Sequence, residues 1–183
     1  MNRSFRKSLS VLLCLIILLL QTSPVLAART VRSVPQYSQQ PYDQLCWATT
    51  SAMIISFFKG DTTNRNLTIA KAEYGTTNFN QTAPITTDKK YINQYTGKAG
   101  SIQYNPLSYS AVQYQIKNNA PIDCTIIWSN GGGHALAIKG FDTAVSSSEV
   151  LYNDPWDGKG HGASYSFFKS NSSWSWTESL FFK

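Results

Sequence analysis

Charged residues are scarce in this chain. Asp, Glu, Lys and Arg make up only 14% of its 183 residues, and many of its polar residues are Ser, Thr, Asn and Gln. Beyond the N-terminal segment, Lys89 and Lys90 are the only two basic residues that stand side by side. Because proteins that bind nucleic acids contact the phosphates through clustered basic residues, we expect no nucleic-acid partner.

Long apolar runs are equally rare, and the one that exists, VLLCLIILLL, lies near the N-terminus. Its length of about ten residues is half of what a membrane-spanning helix needs. Arg3, Arg6 and Lys7 precede the run, and the segment QTSPVLA, which ends in small residues, follows it. This layout predicts a secretory signal peptide over residues 1–27, cleaved after Ala27. We therefore expect a secreted protein without a stable membrane anchor.

The rest of the chain, residues 28–183, has the length of one domain with a hydrophobic core. Three of the sixteen basic residues lie in the predicted signal peptide, so the formal net charge falls from +6 to +3 when it is removed. We expect this domain to be a monomer.

Cysteine is also rare. Cys14 lies in the predicted signal peptide, which leaves Cys46 and Cys124 in the mature chain. Two cysteines in an exported protein are compatible with one structural disulfide. The alternative is that Cys124, in the middle of an apolar segment, is a small buried residue and that the Cys46 thiol is free.

Only two histidines are present, His134 and His161. Together with Cys46 and Asp154 they offer ligand types that zinc accepts, but no two of them have the close spacing of structural zinc sites. We therefore expect neither a metal nor another cofactor. His161 lies in the glycine-rich segment DGKGHGAS and is expected to be a solvated loop residue.

Predicted helices occupy the first half of the chain and predicted strands the second. The first helix has Asp43 as its expected N-cap and Lys59-Gly60 as its end, and three more are expected at 67–75, 86–97 and 108–121. Segments rich in β-branched and aromatic residues predict strands at 122–128, 134–142, 149–155, 163–169 and 175–182. This segregation predicts an α+β fold with a mainly antiparallel sheet packed against helices.

Cys46 stands at the start of the first predicted helix, in DQLCWATTSAMI. Unpaired backbone N–H groups and the helix dipole stabilise negative charge at that position, so a thiolate is favoured there. A cysteine nucleophile also needs a base within reach and a third group that orients the base. Cys46 is therefore a candidate nucleophile, provided that the chain supplies those two groups.

His134 is the candidate base, because it follows three glycines at the start of a predicted strand. The next predicted strand ends in LYNDPW, where Asn153 or Asp154 could accept a hydrogen bond from the imidazole. Successive strand residues face opposite sides, so only one of the two can do so. Trp156 is expected to cover this hydrogen bond.

An oxyanion in the transition state needs hydrogen-bond donors. The backbone N–H of Cys46 is one candidate, and a side-chain amide is the usual second. Gln40 lies six residues before Cys46, Gln39 seven before, and Gln44 two before.

These segments, read in order, resemble the papain-like cysteine peptidases. The resemblance consists of Q-x5-C-W-A from Gln40 to Ala48, then GGGHALAIKGFD, then YNDPW, and it covers about residues 34–156. The short chain and the VPQYSQ segment are most similar to compact bacterial branches, namely bacteriocin-leader-processing peptidases and secreted effector proteases of plant pathogens. The resemblance implies a compact papain-like α+β fold.

The resemblance also implies roles for individual residues. Cys46 would be the nucleophile, His134 the general base and then general acid, and Asp154 the residue that orients His134. Papain has an Asn in the orienting position, so Asn153 stays an alternative. Gln40 would be the oxyanion-hole glutamine, with Gln39 as its alternative.

The implied function is that of an exported cysteine peptidase that hydrolyses protein or peptide substrates through a Cys-His-Asp/Asn mechanism. The same groups also suit other acyl transfers, so a deamidase, transglutaminase or peptidoglycan amidase is an alternative. A third reading is a non-catalytic binding or toxin module on the same scaffold.

Overall fold

The computed structural model describes residues 28–182, and the predicted signal peptide lies outside them. Within these residues the fold is α+β, with five helices and a seven-stranded antiparallel sheet, as the sequence predicted. No helix in this part of the chain is long and apolar enough to cross a membrane. The helices are α1 Cys46–Lys59, α2 Asn66–Tyr74, α3 Ile85–Thr96, α4 Tyr109–Lys117 and α5 Tyr165–Lys169. The strands are β1 Arg29–Val31, β2 Gly100–Gln103, β3 Ile122–Trp128, β4 Gly133–Asp142, β5 Glu149–Asp154, β6 Lys159–Ser164 and β7 Trp174–Phe182.

Helix α1 is the buried central helix of the fold. It begins at Cys46 and not at the expected cap Asp43, whose carboxylate instead accepts a hydrogen bond from Asn80 at 2.9 Å. Every residue from Cys46 to Ser56 is buried. The helix ends as predicted at Gly60, which has φ 68°, a conformation that glycine adopts without strain. The Cys46 thiol is thereby fixed in the first turn of a rigid helix.

The sheet has the strand order β2-β7-β3-β4-β5-β6. Strand β4 pairs with β3 through its first half, and β1 takes the place of β3 beside the last three residues of β4. A bulge in β4 between Ile138 and Gly140 accompanies this change of partner. Strands β4 and β5, which carry His134 and Asp154, are therefore neighbours.

Side-chain alternation along β4 divides the core between the two faces of the sheet. Ala135 and Ala137 pack with α1, α2 and α3 on one face, while Leu136 and Ile138 pack with α4 and α5 on the other. The small alanines let α1 approach the sheet closely enough for the Thr50 hydroxyl to donate to the Ala135 carbonyl at 3.2 Å.

The segment ASYSFFK is not the strand that its aromatic residues predicted. It contains the end of β6 and the short helix α5, because the Ser164 hydroxyl caps that helix by accepting from the Phe167 N–H. Phe168 is then fully buried under the sheet, against Tyr152 and Trp176. His161 consequently lies on β6 and not in a loop.

Candidate active site

His134 and Asp154 are brought together by the pairing of β4 with β5. The imidazole Nε2 of His134 lies 2.7 Å from Oδ1 of Asp154. The same carboxylate oxygen accepts a hydrogen bond from the backbone N–H of Trp156 at 2.8 Å. This bond holds the carboxylate in place at the turn after β5. The carboxylate therefore fixes the orientation of the imidazole.

Asn153 faces the other way, as strand alternation requires. It is fully buried, and its amide N–H groups donate to two carbonyls of the N-terminal segment, those of Val34 and Pro35. Its oxygen accepts from the Lys139 ammonium at 2.6 Å. The structure thus gives Asn153 a role in anchoring the N-terminal segment, and it brings Asp154 to His134.

Cys46 and His134 line the same two cavities. The Nε2 atom of His134 is taken by Asp154, so Nδ1 is the ring nitrogen left for the thiol. Burial of the imidazole opposes its positive charge, but hydrogen bonding to Asp154 and to Cys46 outweighs burial and raises the pKa of His134 to about 9. The imidazole is therefore protonated at neutral pH and supplies the positive charge that a neighbouring thiolate needs.

Trp128 covers the imidazole, a role that the sequence assigned to Trp156. The Trp128 and His134 rings stack with their centroids 5.9 Å apart and an angle of 27° between their planes. Trp156 is 54% exposed and meets Asp154 only through its backbone N–H. Ile126 of β3 pairs with His134, and Trp128, two residues after Ile126, lies on the same face of the sheet, so this strand pairing places it beside the imidazole.

The structure places the predicted oxyanion-hole glutamines outside the cavities around Cys46. The amide of Gln40, an exposed residue, donates to the Trp156 carbonyl at 3.3 Å. Gln39 is buried, donates to the Tyr42 carbonyl at 3.0 Å, and has a side-chain oxygen without a partner. Gln44 does line one of the cavities. A Gln40 amide that serves an oxyanion at Cys46 has to leave the Trp156 carbonyl.

Two cavities meet at the thiol and the imidazole. The first, of about 380 Å³, lies on the side of Trp47 and is otherwise lined mainly by Pro84, Asp88, Thr125, Ile127 and Ala135. The second, of about 340 Å³, is lined on its other sides by Asp43, Gln44, Trp128, Asp154 and Trp156. Both include Cys46, Thr82, Gly133 and His134. An extended chain that lies across this pair would occupy one cavity on each side of the reacting bond.

Cys124 and His161, the remaining candidate residues, lie apart from Cys46, His134 and Asp154. Cys46 and Cys124 are both free thiols, and they belong to the cores on opposite faces of the sheet, so the disulfide alternative does not form. His161 bonds the Asp157 carboxylate at 3.0 Å and stacks on Tyr152. Among residues 28–182 no cluster of three His, Cys, Asp or Glu side chains is arranged to hold a metal ion.

Two buried carboxyls that the sequence did not single out lie beside the first cavity. Asp88, on α3, is 1% exposed, and Asp123, on β3, is fully buried. Burial and their mutual proximity raise the pKa of Asp88, and burial raises the pKa of Asp123 to about 7. At least one of the two carboxyls therefore keeps a proton at mildly acidic pH.

This pair predicts a stability that falls as the pH rises from about 4 to about 7. In that range the folded protein retains a proton that the unfolded chain, with an ordinary Asp pKa near 3.8, has lost, and the free energy of unfolding decreases. Asp123→Asn is expected to flatten this slope, by a total on the order of a few kcal/mol, in thermal unfolding followed at several pH values. An unchanged slope in the variant would contradict the assignment of the proton to this pair.

Comparison with known proteins identifies the class of this chain as the papain-like cysteine peptidases. A family model described as "Papain-like cysteine protease AvrRpt2" matches residues 28–173. The chain belongs to that family and is a cysteine peptidase, as the sequence resemblance predicted. No curated protein matches the chain by sequence.

One solved structure shows the same fold over most of its length. A putative C39-like peptidase from Bacillus anthracis superposes with a TM-score of 0.60 at 13% identity, over 85% of this chain and 98% of that one. UfSP from C. elegans matches with a TM-score of 0.45 at 15% identity, over 85% of this chain and 34% of that one. The first of these confirms the predicted compact α+β architecture.

Proposed function

We propose that the chain is an exported peptidase that hydrolyses peptide bonds in protein or peptide substrates, with Cys46 as nucleophile, His134 as general base and acid, and Asp154 as the orienting residue. One observation carries the proposal. The imidazole of His134 is held at 2.7 Å by Asp154 and lies beside the thiol at the start of α1, where two cavities join. The proposed nucleophile, base and orienting group thus lie next to one another in space, in the order that cysteine catalysis requires.

In the proposed reaction the substrate carbonyl lies above Cys46, and the thiolate attacks its carbon. The negative charge that develops on the carbonyl oxygen is stabilised by the Cys46 backbone N–H at the start of α1. The imidazolium of His134 then protonates the departing amine, and the acyl group stays on the sulfur. Neutral His134, still held by Asp154, removes a proton from water, which attacks the thioester and releases the acid.

The second oxyanion donor is proposed to be Gln40. Gln40→Ala is expected to lower kcat by about 10²–10³, the usual effect of removing one such donor, with little change in KM. Steady-state kinetics on a peptide substrate measure both constants. Gln39→Ala is the matched comparison, because its buried amide lies one residue away. A loss of that size in Gln39→Ala with none in Gln40→Ala would transfer the role to Gln39.

The proposal of export rests first on the N-terminal sequence pattern. It is supported by the match of the family model, which starts at residue 28, directly after the predicted cleavage site. The mass of the protein recovered from the medium of its native host should correspond to a chain that starts at Ala28. Recovery only inside the cell, with residues 1–27 retained, would contradict export. The monomeric state stays a prediction.

The reaction type is tested by incubating the purified chain 28–183 with unfolded proteins and mapping the products by mass spectrometry. A peptidase creates new N- and C-termini at internal peptide bonds. Deamidated or crosslinked glutamine without new termini would replace hydrolysis of peptide bonds by one of the alternative acyl transfers. A lack of any product, together with an unreactive Cys46 thiol, would favour a non-catalytic module.

A further inference from the structure

The first cavity is lined by residues of β3, and burial increases along the same face of this strand away from the cavity rim. Ile127, Thr125 and Asp123 are alternate residues of this strand, so they point the same way. Ile127 is 42% exposed at the rim, Thr125 is half-buried, and Asp123 is fully buried. Asp88, on α3, lines the cavity itself. A side chain that enters beside Cys46 and His134 therefore finds apolar walls first and a carboxyl group farther in.

The two carboxyls at this inner end have unused hydrogen-bonding capacity. Oδ1 of Asp88 and both carboxylate oxygens of Asp123 are buried without a donor, and so is the hydroxyl of Ser51 on α1. Among residues 28–182 the cavity wall contains no Lys or Arg. Buried carboxylates are normally paired with a cation or fully hydrogen-bonded, so this pair is left short of a positive partner.

We propose that this cavity is a substrate subsite for a basic side chain, Lys or Arg, close to the scissile bond, with Asp88 as its charge partner. The inference rests on the proposed function, because it assigns specificity to the same active site. The walls formed by Trp47, Pro84 and Ile127 suit the aliphatic stem of such a side chain, and its charged end reaches Asp88. At about 380 Å³ the cavity lies in the size range of ligand pockets.

Charge explains why a basic residue is favoured over a neutral one of the same shape. Burial raises the pKa of both Asp88 and Asp123, and the neighbouring Asp123 raises the pKa of Asp88 further. An incoming ammonium or guanidinium group reverses this preference by compensating the negative charge of Asp88. Asp123 behind it then holds the remaining proton and can donate to Asp88. A neutral side chain leaves the buried oxygens unpartnered.

The test compares peptides that differ only in one side chain. A peptide library digested by the chain 28–183 first shows which position beside the cleaved bond prefers Lys or Arg. Matched peptides then carry lysine, acetyl-lysine or norleucine there. We expect the lysine peptide to have a kcat/KM about 10- to 100-fold above that of the other two, the usual effect of one charge-assisted buried hydrogen bond.

Enzyme variants separate charge from structure. Asp88→Asn is expected to cut the lysine preference to within about threefold while cleavage of the norleucine peptide persists. Asp123→Asn should keep the preference, because an asparagine amide can donate to an ionised Asp88. Asp157→Asn removes an exposed carboxylate from the turn after β5 and should leave kcat/KM unchanged for both the lysine and the norleucine peptide.

The outcomes are distinguishable. Peptide cleavage without any preference for Lys or Arg overturns the subsite and leaves the proposed function intact. A preference that survives in Asp88→Asn overturns the role of Asp88. The acetyl-lysine comparison needs no enzyme variant, so an unfolded Asp88→Asn does not prevent a decision: equal cleavage of the lysine and acetyl-lysine peptides overturns the proposal. No hydrolysis of any peptide overturns the proposed function, and the subsite falls with it.

Discussion

Cys46→Ala is expected to abolish peptide hydrolysis, with a fall in kcat/KM of about four to six orders of magnitude. Cys46 is the proposed nucleophile, and its thiol lies beside the imidazole of His134 at the junction of the two cavities. Without it no acyl-enzyme forms, and His134 and Asp154 have no partner to activate. Hydrolysis of a fluorogenic peptide, measured at enzyme concentrations that allow for small residual activity, gives the number.

The same chain offers a matched control for this substitution. Cys124 is fully buried in the core that packs against α4 and α5, whereas Cys46 belongs to the core on the opposite face of the sheet. Cys124→Ala is expected to lower the melting temperature through a small cavity and to leave kcat/KM nearly unchanged. Cys46→Ala should show the reverse pattern, because the thiol is at the edge of a cavity and its loss costs little packing. Retained hydrolysis in Cys46→Ala would contradict the assignment of the nucleophile.

Asp154→Ala is expected to lower kcat/KM by about 10²–10⁴ and to move the basic limb of its pH profile to lower pH. The hydrogen bond from His134 to Asp154 makes the largest of the contributions that raise the pKa of His134 to about 9. A raised histidine pKa means that the imidazolium persists below about pH 9 and is lost as the pH rises through that value. Without Asp154, burial dominates, the pKa of His134 falls, and the imidazolium is lost at lower pH.

The pH readout distinguishes this role from simple damage to the fold. Asp154→Asn should keep an oxygen that accepts from the imidazole, so it is expected to retain more activity than Asp154→Ala while its basic limb still moves down. Asp157→Asn, a nearby exposed carboxylate that bonds His161, should change neither the rate nor the limb. A basic limb that stays in place in both Asp154 variants would contradict the coupling of Asp154 to His134.

Local sequence signals predicted much of the fold. Gly60 ends α1 where expected, and β3 runs from Ile122 to Trp128 as predicted. These features depend on residues near one another in the chain. The prediction of a strand in ASYSFFK was wrong. Its aromatic residues have strand propensity, but the Ser164 cap and the burial of Phe168 favour a short helix.

The candidate site was predictable in its residue types but not in its orientations. Alternation along β5 allows only one of Asn153 and Asp154 to meet His134, but which one depends on the phase of the strand. That phase is fixed by a segment distant in the chain, the N-terminal segment, whose carbonyls accept hydrogen bonds from the Asn153 amide. Asp88 and Asp123 likewise become neighbours because α3 packs against β3, and no local sequence pattern predicts that contact.

The most direct test of the central claim is mass spectrometry of the chain 28–183 after reaction with an epoxide inhibitor of cysteine proteases. The account predicts one inhibitor per chain, attached to the peptide that contains Cys46, with Cys124 unmodified in the folded protein. It also predicts that His134→Ala reacts much more slowly, because the imidazolium no longer supports the thiolate. Failure of Cys46 to react, or equal labelling of Cys46 and Cys124, would contradict the account.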